Sequence, residues 1–224
     1  MRTIAISINK GGMGKTMLTK TLATAATKAG LMVLVLDMDT QQNATNWGRR
    51  RVEKQRLELP VVKFSTEGDL ADELARARES GCDLAIIDTP PGRNSEAPAA
   101  VEVSDLVLIP FWNDQDAYDG VTKTAGLVRR MCKSAFGVLN YSVPNSKIHE
   151  ETAREILDAI GLPMSPVVFH RYDAHRLSTI EGLTAHEIEP DGKAAREIER
   201  FWEWFCAELQ NTDPAFVQKR RKLK

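Results

Sequence analysis

Thr3 to Thr16 reads TIAISINKGGMGKT, a short apolar strand that runs straight into a glycine-rich turn and ends on Gly14-Lys15-Thr16. Gly11, Gly12 and Gly14 carry no Cβ, so the backbone there can curl with its amides pointing inward and let a polyphosphate approach closely. Met13 lies inside this cradle. The helix expected from Thr16 onward, beginning with Met17, adds a partial positive charge and unpaired amide donors at its N-terminus. In such a turn Lys15 reaches the β- and γ-phosphates and the Thr16 hydroxyl is a ligand for Mg²⁺.

The general phosphate-loop pattern G-x-x-x-x-G-K-S/T asks for glycine where this chain has Asn9. Lys10-Gly11-Gly12-Met13-Gly14-Lys15-Thr16 instead resembles K-G-G-x-G-K-S/T, the deviant Walker A motif of the ParA/MinD family of ATPases. The resemblance implies ATP with Mg²⁺ as cofactors, and a sandwich homodimer in which Lys10 crosses to the phosphates held by the other subunit. Read on spacing alone, Lys10 is a loop cation.

A chain of 224 residues suits one α/β domain with a core of its own. Cys82, Cys132 and Cys206 are odd in number and lack C-x-x-C spacing, which fits a reducing compartment and no zinc site. His170, Asp173 and His175 cluster without metal-ligand spacing. No apolar run approaches the roughly 18 residues needed to span a bilayer. With a strand starting at residue 3, neither a leader nor a preceding DNA-binding extension is expected. The net charge of −1 is segregated: Lys219, Arg220, Arg221, Lys222 and Lys224 carry +5, leaving −6 on residues 1 to 218.

Beyond the glycine turn the pattern alternates. A helix is expected to end near Gly30, followed by a buried strand over Met32 to Leu36 that runs into Asp37-Met38-Asp39-Thr40-Gln41-Gln42-Asn43-Ala44-Thr45. Trp47 and Arg49 to Arg51 fall in a polar stretch with no clear period, read as a solvated arginine run in preference to a nucleic-acid contact. A short strand over Val61 to Phe64 and a helix over Asp69 to Ser80 precede Leu84 to Gly92, a buried strand ending in Asp88 and Pro90-Pro91-Gly92. Further elements are expected as helix Ser95 to Ser104, strand Asp105 to Phe111, helix Tyr118 to Lys133, strand Ala135 to Leu139, helix His149 to Ile160 and a last strand Val167 to Phe169. Arg171 to Leu183 reads as a polar stretch, and Ala194 to Leu209 as a final helix whose aromatic stripe is core in preference to interface. The alternation predicts one doubly wound, mostly parallel α/β sheet flanked by helices, with its ligand site at the strands' C-terminal ends. Residues 1–210 form the P-loop ATPase domain of this reading, and 211–224 a basic tail expected to be flexible.

Asp37 to Thr45 resembles the family's D-x-D-P-Q-G-N-A-T, with Thr40 and Gln42 in place of proline and glycine, and Ile86 to Pro91 matches its I-I-D-T-P-P. The resemblance implies that Asp39 orients the attacking water, that Asp37 supports the Mg²⁺ shell and that Asp88 holds the ion through water. It also places an adenine-reading residue at Asn140, where spacing alone favours a turn. Within the family the compact partition ATPases are preferred. For these the resemblance implies non-specific DNA binding by the ATP dimer, a centromere-binding adaptor that stimulates slow hydrolysis, and a cytoplasmic, nucleoid-associated location. Candidate DNA contacts are Arg171, Arg176, Lys193, Arg196, Arg200, Lys219, Arg220 and Arg221, each also readable as plain surface charge. A MinD-like membrane role finds too few apolar residues in the tail, so no membrane partner is expected. A cargo-positioning relative and a nucleotide-gated scaffold remain alternatives.

Overall fold

The computed structural model describes residues 1–92, 95–144 and 147–212. Six parallel strands, β1 (Arg2–Ile6), β2 (Val33–Asp37), β3 (Val61–Phe64), β4 (Leu84–Asp88), β5 (Leu106–Phe111) and β6 (Ser134–Leu139), lie in the order β3-β2-β4-β1-β5-β6. The four inner strands are covered on both faces, which is why their sequences are continuous apolar runs. Alternate residues sort to the two sides. Ile4, Ile6, Val35, Ile86 and Leu108 pack with α1 (Lys15–Lys28) and α9 (Lys193–Thr212). Ala5, Leu36, Ile87 and Ile109 pack with α3 (Leu70–Glu79), α4 (Glu96–Val103), α5 (Gln115–Arg130) and α6 (Lys147–Ala159). The predicted aromatic stripe of α9 is core: Phe201, Phe205 and Leu209 are buried in the first of these layers.

Neighbouring strands β1 and β4 send their following helices, α1 and α4, to opposite faces of the sheet. That is the switch point at which an open parallel sheet leaves a crevice above its strand ends. Both the glycine turn and Asp88 stand there.

Four stretches differ from the sequence-based expectation. Residues 43–55, read as aperiodic, form α2 (Asn43–Gln55), whose buried positions are Ala44, Trp47, Gly48 and Arg51. The helical period was present but carried by a glycine and an arginine. Gly48 is needed because a Cβ there would stand 2.7 Å from Val62 Cβ, and Arg51 is buried in a two-pronged ion pair with Glu187, at 2.6 and 2.9 Å. The solvated arginine run is therefore corrected at Arg51. The α5 helix begins three residues before the expected Tyr118, because Asp114 Oδ1 accepts from the Ala117 amide at 2.8 Å and caps it.

Val167 to Phe169 makes no strand. Pro166 has no amide to donate and the Val167 amide donates to Ser165 Oγ at 3.1 Å, so the stretch lies beside β6 through isolated bridges, Gly137 to Met164 and Ser142 to His170, and single hydrogen bonds such as that from the Phe169 amide to the Leu139 carbonyl at 3.0 Å. The polar stretch after Arg171 folds into α7 (Asp173–Ile180), followed by α8 (Ala185–Ile188), whose Thr184 and Glu187 close a reciprocal cap. Lys219, Arg220 and Arg221 lie outside the described residues.

Candidate functional site

The glycine turn is built as the sequence demands. Gly12 and Gly14 sit at φ 78° and 86°, values that favour glycine. A Cβ on Gly14 would stand 2.7 Å from Asn140 Nδ2, so no larger residue fits. Gly14 is also the N-cap of α1, and no side chain caps that helix and no acid lies in its first turn. Its leading amides and dipole are thus left for an anion. Met13 is buried, and its carbonyl accepts from Asn140 Nδ2 at 3.0 Å. Met17 packs against the core, where its sulfur accepts from Thr21 Oγ1 at 3.5 Å, so its side chain turns away from the cradle.

Lys15 is buried and folds back over its own turn, donating to the Lys10 carbonyl at 3.2 Å and the Ile8 carbonyl at 3.4 Å. Burial lowers its pKa, opposed by the charges of Asp88 and Asp39. Lys10 takes a different course. Its Nζ reaches outward to α5, 2.8 Å from Asp116 Oδ2 and 3.4 Å from Asp114 Oδ1. The hydrogen bond to Asp116 raises the Lys10 pKa, and that same contact lowers the pKa of Asp116.

Asp37 and Asp88 end adjacent strands in direct register. Asp37 is spent on the loop that follows it: Oδ1 accepts from the Asp39 amide at 3.1 Å, and Oδ2 from the Thr45 amide and hydroxyl at 2.8 and 3.0 Å. It holds the entry to α2. Asp88 is buried, and neither of its oxygens has a hydrogen-bond partner of good geometry among the described residues. Burial pushes its pKa up to about 7, with Asp37 adding to the rise and Thr16, Lys15 and Lys20 opposing it. The Lys20 ammonium lies 5.8 Å from the centroid of the Trp47 ring, and burial lowers its pKa to about 8. Lys15 and Lys20 thus flank two facing carboxylates that would otherwise repel each other in a dry setting. Asp39 is half-buried, and its Oδ1 accepts from the Gln41 amide at 2.9 Å.

These groups fit ATP with Mg²⁺. An orphaned buried carboxylate beside the Thr16 hydroxyl is an oxygen donor set with room for a hard cation, whose remaining ligands come from phosphate and water. Among the described residues no three His, Cys, Asp or Glu side chains gather into a metal cage of their own. When bound, the ion supplies charge neutralisation at the phosphates.

The candidate DNA contacts are less concentrated. Lys193, Arg196 and Arg200 recur at helical spacing on the exposed side of α9. Arg176 pairs with Asp173 at 3.6 Å, and the exposed Arg171 lies close enough to act on the Tyr141 hydroxyl. Sequence reasoning missed Asp114, Asp116, Lys20 and Thr45. Asp114 had a readable signal, an acidic cap ahead of an apolar helical run. Asp116 and Lys20 are placed by contacts between distant segments, and Thr45 by the curl of its loop back onto Asp37. No helix among the described residues is long and apolar enough to cross a membrane.

Residues 4–196 match the model of the CobQ/CobB/MinD/ParA nucleotide binding domain. The chain is similar to the maintenance of carboxysome distribution protein A of Gloeobacter kilaueensis, 29% identical over 93% of this chain and 94% of that protein. It is also similar to the chromosome-partitioning ATPase Soj of Thermus thermophilus, 31% identical over 57% of this chain and 60% of that one. Its fold is that of the septum site-determining protein MinD of Pyrococcus horikoshii, solved with Mg-ADP, with a TM-score of 0.70 at 19% identity, covering 90% of this chain and 94% of that chain. With its cradle, its lysines and its strand-end acids in place, this chain belongs to the CobQ/CobB/MinD/ParA nucleotide-binding family and is a P-loop ATPase of the ParA/MinD type.

Proposed function

We propose that this ATPase positions a cargo over DNA, working as an ATP-dependent sandwich homodimer whose hydrolysis is stimulated by an adaptor on the cargo. The observation that carries the reading is the nearly end-to-end similarity to a protein named for carboxysome distribution, 93% of one chain and 94% of the other. Plasmid or chromosome partition with a centromere-binding adaptor is the second reading, favoured by the similarity to Soj. Both place the protein in the cytoplasm on the nucleoid.

In this reading Lys15 and the amides of the cradle bind the phosphates, Thr16 and Asp88 hold Mg²⁺, and Asn140 reads the base. Asp37 positions the 39–45 loop, Asp39 orients water for attack on the γ-phosphate, and Lys10 crosses to the other subunit. ATP favours DNA binding only through the dimer, because cations that are weak in one copy act together in two. Lys193, Arg196 and Arg200 are the first choice for that surface, with Arg171, Arg176 and the 211–224 tail, including Lys219, Arg220 and Arg221, as further contributors. A gel shift on unrelated duplex DNA tests this. Retardation with ATP, but not with ADP or without nucleotide, is expected, and equal mobility in all three conditions rules the reading out.

A further inference from the structure

A polar cavity of about 520 Å³ opens beside Thr16, between α1, α2 and α7. Neither the glycines of the cradle nor Lys15 lines it. Its lining carries three cations, Lys20, Arg49 and Arg50, against one acid, the exposed Glu53.

Lys20 stands one helical turn after Thr16 on the same face of α1. It is only 8% exposed, with its Nζ 5.8 Å from the Trp47 ring centroid. The charges of Asp88 and Asp37 act on the ammonium, yet it donates a hydrogen bond to neither of them nor to any other described residue. Arg50 is close enough for its like charge to oppose that of Lys20. It is pinned there through Nε, which donates to the Thr179 carbonyl at 3.2 Å, so the two terminal nitrogens of its guanidinium are left for a ligand. Arg49 is held more loosely, its Nη1 3.5 Å from Asn46 Oδ1. Asn43 and Asn46 bring the first turn of α2 to the cavity, and although Asp37 takes the Thr45 amide, that turn has no acidic residue to offset the positive end of its helix.

A buried charge without a partner is costly, and a second like charge across the same space adds to the cost; an anion between them relieves both. The anion must be small, because the convex rod of a duplex does not reach a buried ammonium. A tetrahedral oxyanion suits the fork of Arg50 and the point charge of Lys20. Resting on the nucleotide reading above, in which Thr16 holds Mg²⁺ at the phosphates, we propose that Lys20, Arg49 and Arg50 form a second oxyanion site, separate from the cradle, that holds a free phosphate ion. Its two sources are the product of hydrolysis, formed beside Thr16, and phosphate from solution.

The test is equilibrium dialysis of the full chain against radiolabelled inorganic phosphate, with Mg²⁺ and the non-hydrolysable ATP analogue AMPPNP at saturation so that the cradle is filled out to the γ position. Wild-type protein should still bind phosphate. Lys20→Met, which keeps the stem's packing on Trp47, and Arg50→Gln should each weaken phosphate binding by about tenfold while AMPPNP affinity stays within about threefold of wild type. Lys15→Ala should do the reverse, losing AMPPNP and keeping phosphate. Absence of phosphate binding to the AMPPNP-loaded wild type overturns the site, and so does phosphate that binds both variants as tightly as wild type. Should Lys20→Met fail to fold, Arg50→Gln decides alone. Wild-type protein that binds phosphate but not AMPPNP fails the nucleotide reading and not the site. A single turnover of ATP, with cleavage and phosphate release timed separately, identifies the source: release that lags cleavage in wild type but not in Lys20→Met assigns the product, and coincident release in both assigns phosphate from solution.

Discussion

The Lys10 ammonium stands 2.8 Å from the carboxylate of Asp116 and 3.4 Å from that of Asp114, on the helix that follows β5. Lys10, which in the proposed dimer serves the phosphates of a second subunit, is tied in the single chain to its own α5. Dimer formation has to break these contacts before new ones form, and a ligand shifts such an equilibrium only through its differential affinity. Asp116→Ala should therefore lower the protein concentration at which ATP produces dimers by a few-fold. Lys10→Ala should abolish ATP-dependent dimers while ADP binding stays near wild type. Analytical ultracentrifugation with ATP and with ADP checks both, and normal dimers in Lys10→Ala would remove the cross-subunit role.

Arg51 and Glu187 form a second long-range tie, one that concerns stability. Arg51 is buried, forks onto both Glu187 oxygens, donates through Nε to the Leu59 carbonyl at 2.8 Å and places its guanidinium 5.5 Å from the Trp47 ring centroid. Removing one partner leaves the other charge uncompensated in a poorly hydrated place, which costs about 3–5 kcal/mol. Arg51→Ala should lower stability by that amount in urea, whereas Arg51→Met, which keeps the stem's packing, should lose less. A change below about 1 kcal/mol for Arg51→Ala would show the pair to be dispensable.

His175 gives the molecule an acid limb. It is buried with its ring edge-on to Phe169, and burial lowers its pKa from 6.5 to about 4. The folded state keeps the imidazole neutral where the unfolded chain protonates it, so the unfolded state binds the extra proton. Stability present above about pH 6.5 is therefore lost as the pH falls toward 4, by up to about 3 kcal/mol for this residue. His175→Phe should flatten that part of the profile. Urea midpoints at pH 4.5 and 7.5 measure it, and an unchanged slope would assign the acid limb to other groups.

The fold was readable because strands buried on both faces must be apolar throughout, and Ile4 to Ile6 and Leu84 to Ile87 are. The cradle was readable because Gly12 and Gly14 occupy positions where glycine is the residue that fits. Other parts had no local sign. Asp37 ends its strand as a candidate Mg²⁺ supporter would, and its further contacts, accepting from Asp39 and Thr45, are a matter of how the next loop curls. Nothing in the sequence ties Lys10 to α5, and α2 hid its period behind Gly48 and Arg51, which are buried for reasons that lie in Val62 and Glu187.

The exposed cations of α9 offer a direct test of the DNA surface. Lys193, Arg196 and Arg200 share one side of the helix, while Glu197 points inward to receive the His170 ring nitrogen at 2.6 Å. Each phosphate contact releases counterions and contributes about 0.9 to the slope of log affinity against log salt. Replacing the three with glutamine should weaken DNA binding by the ATP form and flatten the slope by up to about 0.9 per contact removed. An unchanged slope moves the interface elsewhere on the molecule.

In the proposed cycle, Asp39 is the residue that decides whether ATP is hydrolysed. Its Oδ1 accepts from the Gln41 amide at 2.9 Å, so the carboxylate is braced by its own loop, and that loop is in turn fixed by Asp37 through Thr45. A carboxylate braced in this way can orient a water without reorganising during the reaction, and losing a positioned base costs about 10²- to 10⁴-fold in rate. Asp39→Ala removes the water-orienting group and leaves Lys15, Thr16 and Asp88 in place. The variant should bind ATP, dimerise and stay on DNA while hydrolysis falls by that factor. Asp37→Ala should act differently: it frees the Thr45 amide and loosens the entry to α2, so both stability and hydrolysis should drop. Hydrolysis assays paired with a DNA off-rate measurement separate the two, and an Asp39→Ala protein that remains monomeric with ATP would take the catalytic role away from that residue.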